Sequence, residues 1–192
     1  KSLIDSEGLV ALTKFAEASG MQGALNALFR GAKINQSEGR AALHTSLRSP
    51  ESANAPHSAL VSETLASLRE FVDRVHSGAW TGYSGQTIDT VVNLGIGGSD
   101  LGPAMVVDAL ADFALNRPRV RFVSNVDPAH LARTLKGLDP ATTLFIVASK
   151  TFGTLETLAN ARAARDWLVA ASDEAAVARH FVAVSANIQA AS

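Results

Sequence analysis

Cysteine is absent from the 192 residues. That excludes disulfides and thiolate metal sites, and it fits a reducing compartment. An excess of charge of one sign is also lacking: 17 Lys and Arg stand against 18 Asp and Glu, for a net charge of -1. No basic field is available to hold nucleic acid or an anionic membrane surface. An anionic ligand must therefore be held by local geometry rather than by bulk charge. No apolar run approaches the roughly 20 residues that cross a bilayer. The opening residues, Lys1-Ser2-Leu3-Ile4-Asp5, have neither a signal-peptide layout nor an initiator Met. The last residues, 184–192, stop just past an apolar run, so both ends are expected to be cuts in a longer chain.

What is present is the balance of a folded globular protein: 47% apolar and 18% charged residues, enough for one ordinary domain with a packed core. Two regions differ in pattern. Up to about Gly85 the pattern is helical, with Leu9, Leu12, Phe15 and Ala16, then Val61, Leu65, Leu68, Val72 and Val75, recurring at helix spacing. Gly78 suits the stop of the second helix. Residues 49–58 are polar and Pro- and Ser-bearing, as a loop would be, and Thr81-Gly82-Tyr83-Ser84-Gly85 marks a turn. Beyond it, β-branched apolar runs at 90–94, 120–123, 143–147 and 181–184 alternate with helical patterns at 101–115, 128–135 and 154–170. Short buried strands separated by helices predict a parallel sheet with right-handed crossovers and helices on both faces, an α/β fold. A further strand beyond 181–184 is expected.

In such sheets ligands bind outside the carboxyl ends of the strands, and two strand ends carry unusual chemistry. The first is Asn93-Leu94-Gly95-Ile96-Gly97-Gly98-Ser99-Asp100. Its glycines allow a sharp turn that presents N–H groups, and the helix that follows adds its positive dipole end, so a phosphate is favoured there. A dinucleotide fingerprint fails, because Asp100 stands where the third glycine belongs and Asp127 lies in a turn ahead of Pro128. A P-loop fails because Ser99 follows Gly98 directly. A plain strand-to-helix turn would also account for the glycines.

The second is Ala148-Ser149-Lys150-Thr151-Phe152-Gly153-Thr154-Leu155-Glu156-Thr157. Ser149, Thr151 and Thr154 offer hydroxyls, Lys150 a cation, and the incoming helix free N–H groups, which together suit a dianionic phosphate without a metal. An ordinary N-cap at Thr154 or Ser149 would need one hydroxyl only. Glu156, in the first helical turn, either complements the helix dipole or contacts a sugar or a catalytic partner.

These segments resemble the glucose-6-phosphate isomerase family. Gly95 through Pro103 matches its Gly-Ile-Gly-Gly-Ser-x-Leu-Gly-Pro motif, and Ser149 through Thr157 its Ser-Lys-Thr-Phe-x-Thr-x-Glu-Thr signature. Ser124-Asn125-Val126-Asp127 and Gly39-Arg40-Ala41-Ala42-Leu43-His44 with Leu47-Arg48 are similar to further landmarks in the same order. Gly153 and Leu155 depart from the Thr and Gln common there. The resemblance implies a helical region over 1–85 packing on the core. It further implies a sugar-isomerase domain of flavodoxin-like layering over 86–192, truncated from a five-stranded sheet. It implies interconversion of glucose 6-phosphate and fructose 6-phosphate in glycolysis and gluconeogenesis, with no cofactor and no metal, by a cytoplasmic homodimer. By matching positions, Ser149, Lys150, Thr151 and Thr154 would hold the phosphate. Gly98 and Ser99 would line the sugar side, and Glu156 would be the catalytic carboxylate near the reacting end.

Isomerisation needs ring opening and proton transfer through an enediol. The family's shuttling Glu, its ring-opening His and Lys and its enediolate-stabilising Arg lie in motifs beyond Ser192. The isolated chain is therefore expected to have at most trace activity. His44, His57 and His76 are expected at the surface, His130 as a capping group and His180 as structural. The competing readings are a non-catalytic sugar-phosphate sensor, another ketose–aldose or amino-sugar enzyme on the same fold, and the disfavoured nucleotide-binding domain.

Overall fold

The computed structural model describes residues 3–49, 55–114 and 118–191. The chain divides into two compact units, residues 1–70 and 71–192. In the first, α1 (Ser6–Ala18) begins at Asp5, whose carboxylate accepts the Gly8 N–H at 2.8 Å. Gly20, at φ 76°, reverses the chain into α2 (Met21–Phe29). The stripe at Leu9, Leu12 and Phe15 lies on α1 as its spacing predicts, but it is exposed. A bridge joins Asn35 and Arg40, and α3 (His44–Leu47) follows. Helix α4 (Ser58–His76) runs through the division between the units. It stops before Gly78, which takes the left-handed φ of 76° expected of it. Of the expected loop at 49–58, residues 50–54 lie outside the described residues.

The second unit is an α/β layered structure. Its elements are β1 (Thr90–Leu94), α5 (Gly98–Ala109), β2 (Arg119–Val123), α6 (Pro128–Leu135), β3 (Thr143–Ala148), α7 (Leu155–Ala171), α8 (Val177–His180), β4 (Phe181–Val184) and α9 (Ile188–Ala191). The strands are parallel in the order β2-β1-β3-β4. Among the described residues the sheet has four strands, against the five the resemblance implies, and β4 lies at one edge.

Alternation along the strands separates two cores. On one face Val92, Leu94, Val123, Phe145 and Val147 are buried with Leu131 and Leu135 of α6 and Ala164 of α7. On the other, Val91 and Leu144 pack with Ile88 and with Phe71 and Val75 of the last turns of α4. Phe145 anchors the first core, stacked on Phe181 at 4.8 Å and edge-on to Trp167 at 5.9 Å.

Helix α5 departs from expectation. It starts at Gly98 rather than Leu101 and ends at Ala109, followed by a 3-10 turn at Ala111–Phe113; residue 115 lies outside the described residues. Pro103 inside the helix has no N–H to give the Ser99 carbonyl. That carbonyl accepts instead from Asn93 Nδ2 at 3.0 Å. A side chain one strand back thus lets the helix extend through Gly-Gly-Ser, which the glycines and the proline by themselves do not favour.

The start of α6 also corrects an expectation: the cap is Asp127, not His130. Asp127 Oδ1 accepts the Ala129 N–H at 2.9 Å, ahead of Pro128 in the first turn. This duty also removes Asp127 from any role toward a ribose. Asp127→Ala should lower stability by about 1 kcal/mol, and Asp127→Asn by much less; urea denaturation of the three proteins checks both.

Candidate functional site

The strand order sets the site. From β1 the chain crosses to β2 on one side, and from β3 to β4 on the other, so the switch falls between β1 and β3. Leu94 pairs with Val147, so the glycine turn and the hydroxyl turn leave the same sheet end on neighbouring strands.

On the β1 side, Gly95 is buried and Gly97 takes φ 59° and ψ -119° as the N-cap of α5. Gly98 and Ser99 are the first two residues of that helix, the former exposed and the latter half-buried. On the β3 side, Ser149 immediately follows the strand and is 2% exposed. Its Oγ donates to Thr154 Oγ1 at 3.2 Å. Lys150 and Thr151 occupy the exposed turn, and Thr154 is the half-buried N-cap of α7. Glu156 is exposed on the first turn of α7, two residues past Thr154. The two departures from the family pattern, Gly153 and Leu155, are exposed as well.

The simple capping explanation is disfavoured here. α1 and α6 are each capped by an Asp side chain, whereas neither Gly97 nor Thr154 caps its helix with a side-chain hydrogen bond. The Thr154 hydroxyl is engaged by Ser149 instead. In α5 the Ser99 and Asp100 amides turn back on the carbonyls of Ile96 and Gly97 at 3.2 and 3.0 Å, and the positive ends of both helix dipoles lie at this end of the sheet. Two buried polar atoms make no hydrogen bond among the described residues, Asp100 Oδ1 and Thr157 Oγ1. Both lie in the first turns of these same two helices. A buried polar group without a partner costs about 1–3 kcal/mol, so each of these two atoms calls for a partner, whether an ordered water or a ligand group.

Several contributors are not legible as motifs. Asn93 supports Ser99 from within β1; its only signal is an amide in an otherwise apolar strand. Asn160, buried on α7, donates to the Asn125 carbonyl at 2.9 Å and ties the loop after β2 to this end of the molecule. Phe152 takes a left-handed φ of 54°, rare for a bulky residue. The histidines stand apart. His44, His57 and His76 are exposed, and His180 is fully buried against the start of β3, at the opposite end of the strands. A groove of about 800 Å³ beside β4, lined by Phe152, Arg162, Arg165 and Phe181 among others, includes none of the expected site residues. No cluster of three or more metal-ligating side chains occurs among the described residues, and no helix among them is long and apolar enough to cross a membrane.

The chain is 53% identical to the glucose-6-phosphate isomerase of Corynebacterium diphtheriae over 98% of its own length and 36% of the relative's. It is 54% identical to that of Mycolicibacterium smegmatis over 97% and 35%. The crystal structure of a glucose-6-phosphate isomerase from Chlamydia trachomatis superposes with a TM-score of 0.75 at 30% identity, covering 95% of this chain and 35% of that one. The chain thus spans about a third of the length of the relatives it matches. The family model for phosphoglucose isomerase matches residues 1–192, and the chain belongs to the phosphoglucose isomerase family.

Proposed function

We propose that this chain supplies the sugar-phosphate-binding portion of an isomerase that interconverts glucose 6-phosphate and fructose 6-phosphate. The observation that carries the reading is the meeting of two helix N-termini without side-chain caps and the paired hydroxyls of Ser149 and Thr154 at the switch point. Ser149, Lys150, Thr151 and Thr154 take the phosphate, whose charge is matched by hydroxyl and amide donors, the Lys150 ammonium and the α7 dipole. Gly98 and Ser99 line the sugar side, where the missing side chain at Gly98 lets the ring approach backbone. Glu156 is the carboxylate near the reacting carbons.

Proton transfer through an enediol needs a base within hydrogen-bond reach of adjacent carbons, and ring opening needs a second acid–base group. Glu156 is one carboxylate, so the remaining groups come from polypeptide outside these residues. The phosphate contacts are remote from the reacting atoms, and their role is to hold the sugar in register. The same reading takes the enzyme as a cytoplasmic homodimer that needs no cofactor.

The test is conversion of fructose 6-phosphate to glucose 6-phosphate by the product of the complete reading frame. Turnover is expected, with Ser149→Ala and Thr154→Ala each raising KM about tenfold, as loss of a hydrogen bond to a charged group does. A folded product that binds fructose 6-phosphate without turning it over would favour the sensor reading. Normal turnover by the isolated 192-residue chain would overturn the division of labour proposed here.

A further inference from the structure

We propose that Ser185 and Asn187, in the turn after β4, are positioning residues that hold the 149–154 loop in its phosphate-binding conformation. The inference rests on the reading of that loop as the phosphate site. The carbonyl of Lys150 accepts from the Ala186 N–H at 2.9 Å and from Ser185 Oγ at 3.1 Å. The next carbonyl, of Thr151, accepts from Asn187 Nδ2 at 3.2 Å. Two consecutive peptide groups are therefore tied to one turn on the neighbouring strand. In a trans peptide the C=O and the following N–H point opposite ways. Tying the Lys150 carbonyl toward β4 turns the Thr151 N–H away from it, while the Phe152 N–H closes the loop on the Ser149 carbonyl at 3.1 Å.

The loop needs such ties because its local preference is against the shape it takes. Phe152 at φ 54° is in a region that costs a side-chain-bearing residue energy. Its ring packs against the core cluster, and Ser185 and Asn187 hold the carbonyls of the two residues just before it. The turn is itself organised for the purpose. Ser185 Oγ accepts the Asn187 N–H at 3.0 Å, and Asn187 Oδ1 accepts the Ala190 N–H at 3.3 Å, in the first turn of α9. One half of the Asn187 amide thus serves its own helix and the other half the loop.

That division gives a clean experiment on the product of the complete reading frame. Asn187→Ser keeps a good helix cap but is one bond too short to reach Thr151. Ser185→Ala removes the hydroxyl from Lys150, and Ser185→Thr retains it. Asn187→Ser and Ser185→Ala should each raise the KM for fructose 6-phosphate, and the inhibition constant of inorganic phosphate, about fivefold. kcat should stay within about twofold, as for loss of binding shared by ground and transition states. Ser185→Thr should restore both constants. Unchanged KM and phosphate inhibition in both variants, while Ser149→Ala raises them, would overturn the proposal and leave the phosphate loop standing. A loss confined to thermal stability would overturn it as well. If Ser149→Ala also changes nothing, the loop is not the phosphate site and both readings fall.

Discussion

Replacing His180 with Ala should destabilise the fold by about 4 kcal/mol, because it opens a cavity and strands two backbone groups at once. The imidazole is 0% exposed. Its Nδ1 lies 2.6 Å from the Thr143 carbonyl oxygen, to which it must donate, and its Nε2 accepts the Tyr83 N–H at 2.9 Å. One neutral tautomer satisfies both partners, and the doubly protonated ring cannot accept from Tyr83. The two partners are far apart in sequence: Thr143 opens β3, and Tyr83 lies in the turn closed by the Thr81–Thr87 bridge. Gly82 makes the approach possible, since a Cβ there would meet the Ala141 carbonyl oxygen and stand 2.7 Å from His180 Cε1. Urea denaturation checks the magnitude; a loss below about 1 kcal/mol would show that the ring is not what holds this turn to the sheet.

The same geometry sets a pH dependence. Burial lowers the His180 pKa from its ordinary 6.5, the hydrogen bond to Thr143 opposes the shift, and nearby Arg179 adds to it. The unfolded chain protonates this ring near 6.5 while the folded chain resists. Below that pH the unfolded state therefore binds more protons, and stability falls as pH falls. The contribution is fully present above the ordinary pKa and is lost on descending toward the lowered one. His180→Asn, which cannot titrate, should remove this part of the slope in denaturation curves measured across that window.

Gly95→Ala should be nearly as damaging, at about 3 kcal/mol, and should also disable the candidate site. A Cβ at Gly95 would stand 2.6 Å from the Ser99 carbonyl oxygen and 2.9 Å from Ser99 Cβ. The obstacle is backbone, and it is the carbonyl that Asn93 secures in place of the N–H that Pro103 lacks. Relieving the clash means moving the start of α5, with the amides of Gly98 and Ser99. Gly98→Ala is the control, since its Cβ would enter open space. It should leave stability within about 1 kcal/mol and report on sugar approach alone. Denaturation curves with fructose 6-phosphate binding separate the two effects. A stable Gly95→Ala protein with unchanged binding would mean the turn adjusts freely and that the glycine is not required there.

Local patterns carried much of this from the residues alone. Apolar β-branched runs located β1 and β4 to the residue and β2 and β3 to within one residue. The signal is strongest in the central strands β1 and β3, which are covered on both faces, and weaker in the partly exposed edge strands β2 and β4. The glycine turn and the hydroxyl turn were visible because close backbone approach and anion binding restrict residue types over a few adjacent positions. Their order along the chain was enough to point to the family.

What only the tertiary structure decided were bonds between groups distant in sequence. Asn187 reaches Thr151 across 36 residues and His180 reaches Thr143 across 37. Asn93 rescues the carbonyl that Pro103 leaves unpaired, which moves the start of α5 into a stretch of glycines. Neither Asn nor His announces such a partner, since each meets solvent, cap or core equally well. The partner is set by strand register and helix placement, which come from packing the whole sheet and from no single segment of the chain.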